Sequence, residues 1–331
     1  MTAIAPREPQ VRQRRGSRIL VVATVSAVLL FFVSIFVGAS SASLMDVIRD
    51  EGVARVIFFD SRLPRTIAVV LAGSSIAVAG AIMQALTQNR FVAPSTAGTT
   101  ESAILGITVI TVASPGSSVG VKMVVATLFA LAGTLLFVSL IQRLRSRDII
   151  VVPLIGMMLG AVVQSIAWFI AIRNNILQSL YAWIIGDFSG TISGRYELLY
   201  VVGAVALVAY FFADRFTLAG VGRDFSVNVG LNYDRTVVGG MVLVSLVAGI
   251  TVVVVGTVPF WGLIVPNLVS LVVGDNQRRM LPVVAAVGAA GLLAGDILAR
   301  TIRYPTEIPV GTVVGVVGGC IFLAMLVRSR S

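Results

Sequence analysis

The chain offers few side chains for covalent or metal chemistry. Among 331 residues there is no histidine, one cysteine (Cys320) and one lysine (Lys122). A transition-metal cage needs several imidazole or thiolate ligands at set spacing, and a disulfide needs two thiols, so neither can be built within this chain. A P-loop needs a lysine behind a glycine-rich turn. The only lysine lies in Val119-Gly120-Val121-Lys122-Met123, which is no such turn. Any ATP and magnesium therefore belong to a partner, and the chain is expected to carry no cofactor or catalytic residue of its own.

What remains is charge. Arg62-Leu63-Pro64-Arg65 opens an apolar run, with proline where a helix start tolerates it. Its two arginines read either as interfacial anchors or as contacts for acidic groups on a partner. Asp296 and Arg300, four residues apart, share a helical face and can pair locally. Glu101, Lys122 and Asp296 all fall towards the ends of apolar runs, where snorkelling keeps a charge near water. Proton- or sodium-coupled carriers usually need buried ionisable groups near the membrane midplane, and their scarcity argues against ion-gradient coupling. A membrane-embedded enzyme would need clustered polar groups, and the sequence shows none.

The elements that must hold these arginines are membrane spans. The chain is 57% hydrophobic and 12% charged, with a mean hydropathy of +0.99, too little charge to cover a soluble globule. Ten apolar runs are candidates: residues 19–37, 66–86, 96–113, 121–141, 149–172, 198–213, 237–255, 260–273, 281–298 and 308–327. The first is longer than a signal-peptide core of about 7–15 residues, so it reads as a retained span. Ten spans put both termini on one side. With an inside start, 16 of the 25 Lys+Arg fall in cytoplasmic segments, as the positive-inside rule requires. The net charge of +10 thus reflects topology, and nucleic acid is not an expected partner. Residues 1–18 form a basic tail and residues 19–331 a single membrane domain.

Two stretches, one mixed in charge and one apolar but short, do not fit spans. Residues 44–59 read as an outer-surface helix, and residues 176–188 as an interfacial or re-entrant one. The largest cytoplasmic loop, residues 214–235, contains a helix-like stretch from Arg223 and Asp224 to Val229 and Leu231. Gly222 and Gly230 bracket it at positions suited to helix-ending turns. It reads either as a partner's docking element or as a solvated connector. The pairs Gly156/Gly160, Gly291/Gly295 and Gly311/Gly315 read as general helix packing, with a dimer seam as the alternative.

Five ordered blocks resemble the permease subunits of ABC importers for iron–siderophore and cobalamin uptake, the FecCD type. They are Arg62–Arg65 with the segment running through Gly80 to Gln84, then residues 260–267 (FWGLIVPN), 275–282 (DNQRRMLP), 296–300 (DILAR) and 307–311 (EIPVG). The resemblance implies an all-α subunit of ten helices in two inverted four-helix halves, paired with an identical or homologous second permease. It also implies two cytoplasmic ATPases and an extracytoplasmic siderophore-binding protein as partners, in the bacterial plasma membrane with its lipid. Family arginines that meet glutamates of the binding protein correspond to Arg62, Arg65 and Arg300. The family's ATPase-coupling helix corresponds to Gly222, Arg223, Asp224, Val229, Gly230 and Leu231. Gln84 and Asn89 are candidates for the translocation path. The family's usual Pro-His is Pro266-Asn267 here, so no histidine role transfers. The stretch Asn89-Arg90-Phe91-Val92-Ala93-Pro94-Ser95-Thr96-Ala97-Gly98-Thr99 resembles the ferric-siderophore subgroup more than the cobalamin branch. The expected cargo is a ferric siderophore; haem or cobalamin in the same architecture is the alternative.

Overall fold

A computed structural model describes residues 7–37, 52–143, 150–194 and 196–328. All regular structure among them is helical. The elements are α1 (Arg7–Phe36), α2 (Gly52–Ile57), α3 (Leu63–Thr87), α4 (Thr99–Ala113), α5 (Val119–Gln142), α6 (Val151–Arg173), α7 (Leu177–Ile184), α8 (Leu199–Phe211), α9 (Ala213–Val221), α10 (Arg223–Asn228), α11 (Tyr233–Val255), α12 (Trp261–Val273), α13 (Gln277–Thr301) and α14 (Val310–Arg328). Among the described residues, six helices are long and apolar enough to cross a membrane. The stretch Tyr196–Phe211 and α9 form a pair bent by 62°, and α4, α12 and much of α14 are shorter apolar helices.

Helix α3 is the centre of the bundle, and its composition explains why. Its small residues Ala68, Ala72, Gly73, Ala77, Ala79, Gly80 and Ala81 let neighbouring backbones come close. It packs most extensively on α13, and also on α12, α8, α11 and α9. At the α3–α13 crossing, a Cβ on Gly73 would stand 2.6 Å from the Gly288 carbonyl oxygen, so neither glycine can be enlarged without shifting backbone. The Trp261 indole N–H lies over this crossing and donates to the carbonyls of both Gly73 and Gly288 at 3.2 Å. At the α3–α12 crossing, a Cβ on Gly80 would overlap the Gly262 peptide. By contrast, α1 and α6 leave most of their apolar surface outward.

The helix of the second predicted span does not start at the proline. Residues 58–62 form a π turn that joins α2 to α3, so Pro64 sits inside one continuous rod, Arg55–Thr87. Proline removes the amide that would bond the Asp60 carbonyl. The Ser193 N–H bonds that carbonyl instead, at 3.1 Å. The expected surface helix at residues 44–59 is therefore, from Gly52 onward, an extension of the span; its earlier part lies outside the described residues. The three glycine pairs all pack within this chain. Gly156 meets the Thr96–Ala97 backbone, Gly160 meets Glu101, Gly291 meets Trp261, Gly295 meets Val314, Gly311 meets Gly186 and Gly315 meets Pro259.

After α3 the chain turns back on itself through Gln88, whose φ is +53°. Val92, Ala93, Pro94, Thr96 and Ala97 are all buried before α4 begins at Thr99. The short α7 stays at one end of the bundle. Leu180 is buried there, and Tyr181 meets Trp168 edge-on at 5.7 Å.

Candidate docking and coupling sites

The expected docking arginines lie together at one end of the bundle, yet they face inward. Arg62 and Arg65 are each 8% exposed and Arg300 is 4% exposed. Arg62 comes from the π turn, Arg65 from the first turn of α3 and Arg300 from the last turn of α13. Between them sits Asp296, fully buried. Its carboxylate accepts from Arg65 Nη2 at 2.9 Å and forms an ion pair with Arg300 Nη2 at 2.5 Å. Arg65 also reaches Glu307, beyond α13, through Nη1 at 2.5 Å. The local Asp296–Arg300 pair is as the spacing predicts. The two partners of Arg65 stand 231 and 242 residues away, and nothing local in the sequence announces them.

The same arginines cap α1. Arg300 Nη1 donates to the Ser34 carbonyl at 2.9 Å and to the Val37 carbonyl at 2.5 Å, and its Nη2 donates to Ser34 Oγ at 2.6 Å. Arg62 Nη1 donates to the Ile35 carbonyl at 3.4 Å. The last carbonyls of a helix have no partner within it and carry partial negative charge, so buried guanidiniums satisfy them in both respects. The cluster thus fastens the ends of α1, α3 and α13 and the turn at Glu307 in one ionic knot. Asp296 does not snorkel, because its charge is compensated where it lies. Glu101 is also drawn inward, against Gly160. Its Oε2 is buried without a hydrogen-bond partner among the described residues.

At the opposite end a short helix, α10, stands where the sequence predicts one. Gly222, with φ +131°, separates α9 from α10, and Gly230, with φ +87°, follows it. The Leu231 N–H bonds the Ser226 carbonyl and the Gly230 N–H bonds the Val227 carbonyl, both at 2.9 Å, the paired pattern that ends a helix on glycine. Ser226 is buried, its hydroxyl donating to the Leu218 and Gly222 carbonyls. Arg223, Asp224, Phe225, Val227 and Val229 are exposed, so a helix end with three bare apolar side chains projects from the bundle. Arg223 pairs with Asp234 at 3.0 Å. The base of this element is tied to α13: the Gln277 N–H donates to Thr217 Oγ1 at 3.0 Å, and Arg278 pairs with Asp214 at 3.1 Å.

Gln84 and Asn89 line a cleft of about 480 Å³ at the same end, together with Asp275 and Gln277. Both have structural bonds. Gln84 Nε2 donates to the Leu263 carbonyl at 3.1 Å, holding α3 to α12, and Asn89 Oδ1 accepts from the Phe91 N–H at 2.9 Å. Asn267, which stands at the family's histidine position, donates to the Arg90 carbonyl at 2.7 Å and the Leu263 carbonyl at 2.9 Å. Its role here is to hold the turned-back segment against α12. Among the described residues there is no group of three or more metal-ligating side chains.

The sequence model of the FecCD transport family matches residues 26–328. The petrobactin import system permease protein YclN of Bacillus subtilis is 44% identical over 304 residues, covering 92% of this chain and 96% of that protein. The ferric-anguibactin transport system permease protein FatD of Vibrio anguillarum is 39% identical over 311 residues, covering 92% and 98%. In three dimensions the chain is similar to an inward-facing putative metal-chelate type ABC transporter. That match has a TM-score of 0.79 at 22% identity, over 95% of this chain and 99% of the other.

Proposed function

The chain belongs to the FecCD transport family, and from that premise we propose that it imports a ferric siderophore as the permease subunit of an ABC importer in the bacterial inner membrane. The observation that carries the cargo is the similarity, over nine-tenths of the chain, to permeases named for petrobactin and anguibactin. Ten spans with both termini inside accommodate the six long helices, the bent pair and the three shorter ones. The arginine knot then faces outward and α10 faces the cytoplasm. A second permease, identical or homologous, completes the path, and two ATPase subunits sit beneath.

The geometry supports a mechanical route between the two ends. ATP binding closes the ATPases and displaces α10 through its bare Phe225, Val227 and Val229. That displacement passes to α9, which Thr217 and Asp214 fasten to the start of α13. Helix α13 has 25 residues, about 37 Å at 1.5 Å per residue, and ends at Asp296 and Arg300 in the knot. One helix, with Pro282 in its second turn, therefore joins the coupling element to the docking end, the kind of packed connection that carries a two-state change. The iron remains in its chelate throughout.

Docking of the binding protein by Arg62, Arg65 and Arg300 requires a partner carboxylate to compete with those already present. Glu307 is the accessible competitor, with its side chain 26% exposed, whereas Asp296 has none. A glutamate of the binding protein would take over the Arg65 contact from Glu307. The whole reading is tested by reconstituting the permease with its ATPase and binding protein in proteoliposomes. ATP-dependent uptake of radio-iron siderophore is the expected result. Uptake driven by an ion gradient without ATPase would refute it.

A further inference from the structure

We propose that the cytoplasmic end of the chain carries a built site for an anionic phospholipid, in the cleft between α9 and the first half of α11. The cleft holds about 410 Å³. Arg215 and Arg235 stand on its lining with Asn232, and no carboxylate does. Arg90, Arg223 and Arg278 at this end are each paired with an aspartate. Among the described residues Arg215 and Arg235 have no acidic partner. Arg279 at this end is likewise without an ion pair among the described residues, but it lies outside this cleft. The Arg215 guanidinium is held over the Phe212 ring, 5.2 Å from its centre, which keeps it beside the cleft.

Apart from Thr236, whose hydroxyl donates to the Asn232 carbonyl, the remainder of the cleft is apolar, and it runs deeper along the same helix. Arg235, Gly239 and Leu243 are spaced by four residues and so share one face of α11. Gly239 lies about 6 Å, and Leu243 about 12 Å, farther towards the membrane centre than Arg235. A Cβ on Gly239 would meet nothing within 4 Å, so the wall is recessed there. Two uncompensated guanidiniums at headgroup depth, above an open apolar channel parallel to the acyl chains, match a phosphate joined to a hydrocarbon tail. Basic pockets between membrane helices on this side recognise anionic headgroups by the same chemistry. The inference rests on the membrane placement proposed above, but its test does not depend on transport.

The test uses the purified permease–ATPase complex, delipidated in a zwitterionic detergent and examined by native mass spectrometry. It is titrated separately with phosphatidylglycerol, phosphatidylcholine and inorganic phosphate. Phosphatidylglycerol should be retained in preference to phosphatidylcholine, and the double substitution R215Q/R235Q should weaken that retention about thirty-fold, roughly fivefold per arginine. Arg90→Gln should leave it within about twofold, because Arg90 is already compensated. Gly239→Leu should weaken lipid retention while both arginines remain, since it fills the apolar channel. Thermal melting checks that each variant is folded. Full displacement of the lipid by inorganic phosphate would mean a free-anion site and overturn the proposal. So would equal retention of phosphatidylcholine, an unaffected double variant, or binding seen only after the ATPase is stripped away. ATP-driven uptake measured on the same preparation reports separately on the transporter reading.

Discussion

The two ends of this molecule use the same pairing of arginine with carboxylate to opposite effect. In the knot of Arg65, Asp296, Arg300 and Glu307 the central carboxylate is fully buried, and neither arginine side chain exceeds 9% exposure. At the other end, Arg90–Asp275, Arg223–Asp234 and Arg278–Asp214 have side chains between 49% and 68% exposed, at 2.9–3.1 Å against 2.5–2.9 Å in the knot. The knot pairs are the shorter set, but solvent is the difference that governs their energetics. A buried pair stripped of one partner leaves an uncompensated charge, whereas an exposed pair exchanges with water and salt at little net cost. The knot holds architecture, whereas the exposed pairs at the end carrying α10 contribute little to stability.

The largest effect that would break this contrast is at Asp296. Asp296→Ala strands Arg65 and Arg300 together, and should cost about 3–5 kcal/mol, seen as a steep fall in melting temperature or a failure to accumulate in the membrane. Asp234→Ala, its counterpart in an exposed pair, should cost at most about 1 kcal/mol. Equal losses in the two variants would remove the distinction.

Arg65→Glu sharpens the same comparison, because the proposed docking role and the observed architectural one meet at this residue. It places a third carboxylate beside Asp296 and Glu307, so the permease should be destabilised even with no binding protein present. Lost uptake in this variant says nothing about docking unless melting is measured as well. Glu307→Gln is the cleaner probe. It frees an Arg65 donor at the accessible edge, and should cost the fold less than Asp296→Ala because Arg65 keeps Asp296, while binding-protein affinity is kept or raised. A fall in affinity would show that Glu307, rather than a partner glutamate, belongs in the docked state.

How much of this was legible beforehand follows the range of each interaction. The α10 helix and its glycine boundaries are encoded within ten residues, and the structure has them at Gly222 and Gly230. The Asp296–Arg300 pair is one helical turn and was equally legible. The convergence of Arg62 and Arg65 on that pair, and the use of Arg300 to cap α1, depend on helices that meet only in the folded bundle. Expecting those arginines at a solvated rim followed from their place at the end of an apolar run, which cannot tell an outward from an inward rotation. Pro64 misled similarly. It marks a helix start by local rules, but a π turn and the Ser193 amide let the helix run through it. Gln84 and Asn89 could be singled out as polar residues in an apolar setting, though not with the backbone partners that engage them.

The smallest thermodynamic effect should come from α10, and it separates function from stability most sharply. Val227→Pro removes a helical amide on an exposed six-residue element whose one buried side chain is Ser226. No core residue moves, so the melting temperature of the permease should change by no more than a few degrees. If α10 is the ATPase contact, uptake should nevertheless fall by an order of magnitude or more while the assembled complex still hydrolyses ATP. A variant that melts normally and transports normally would move the contact elsewhere on the 214–235 loop. One that melts early would show the loop end to be as structural as the knot, and the comparison between the two ends would lose its basis.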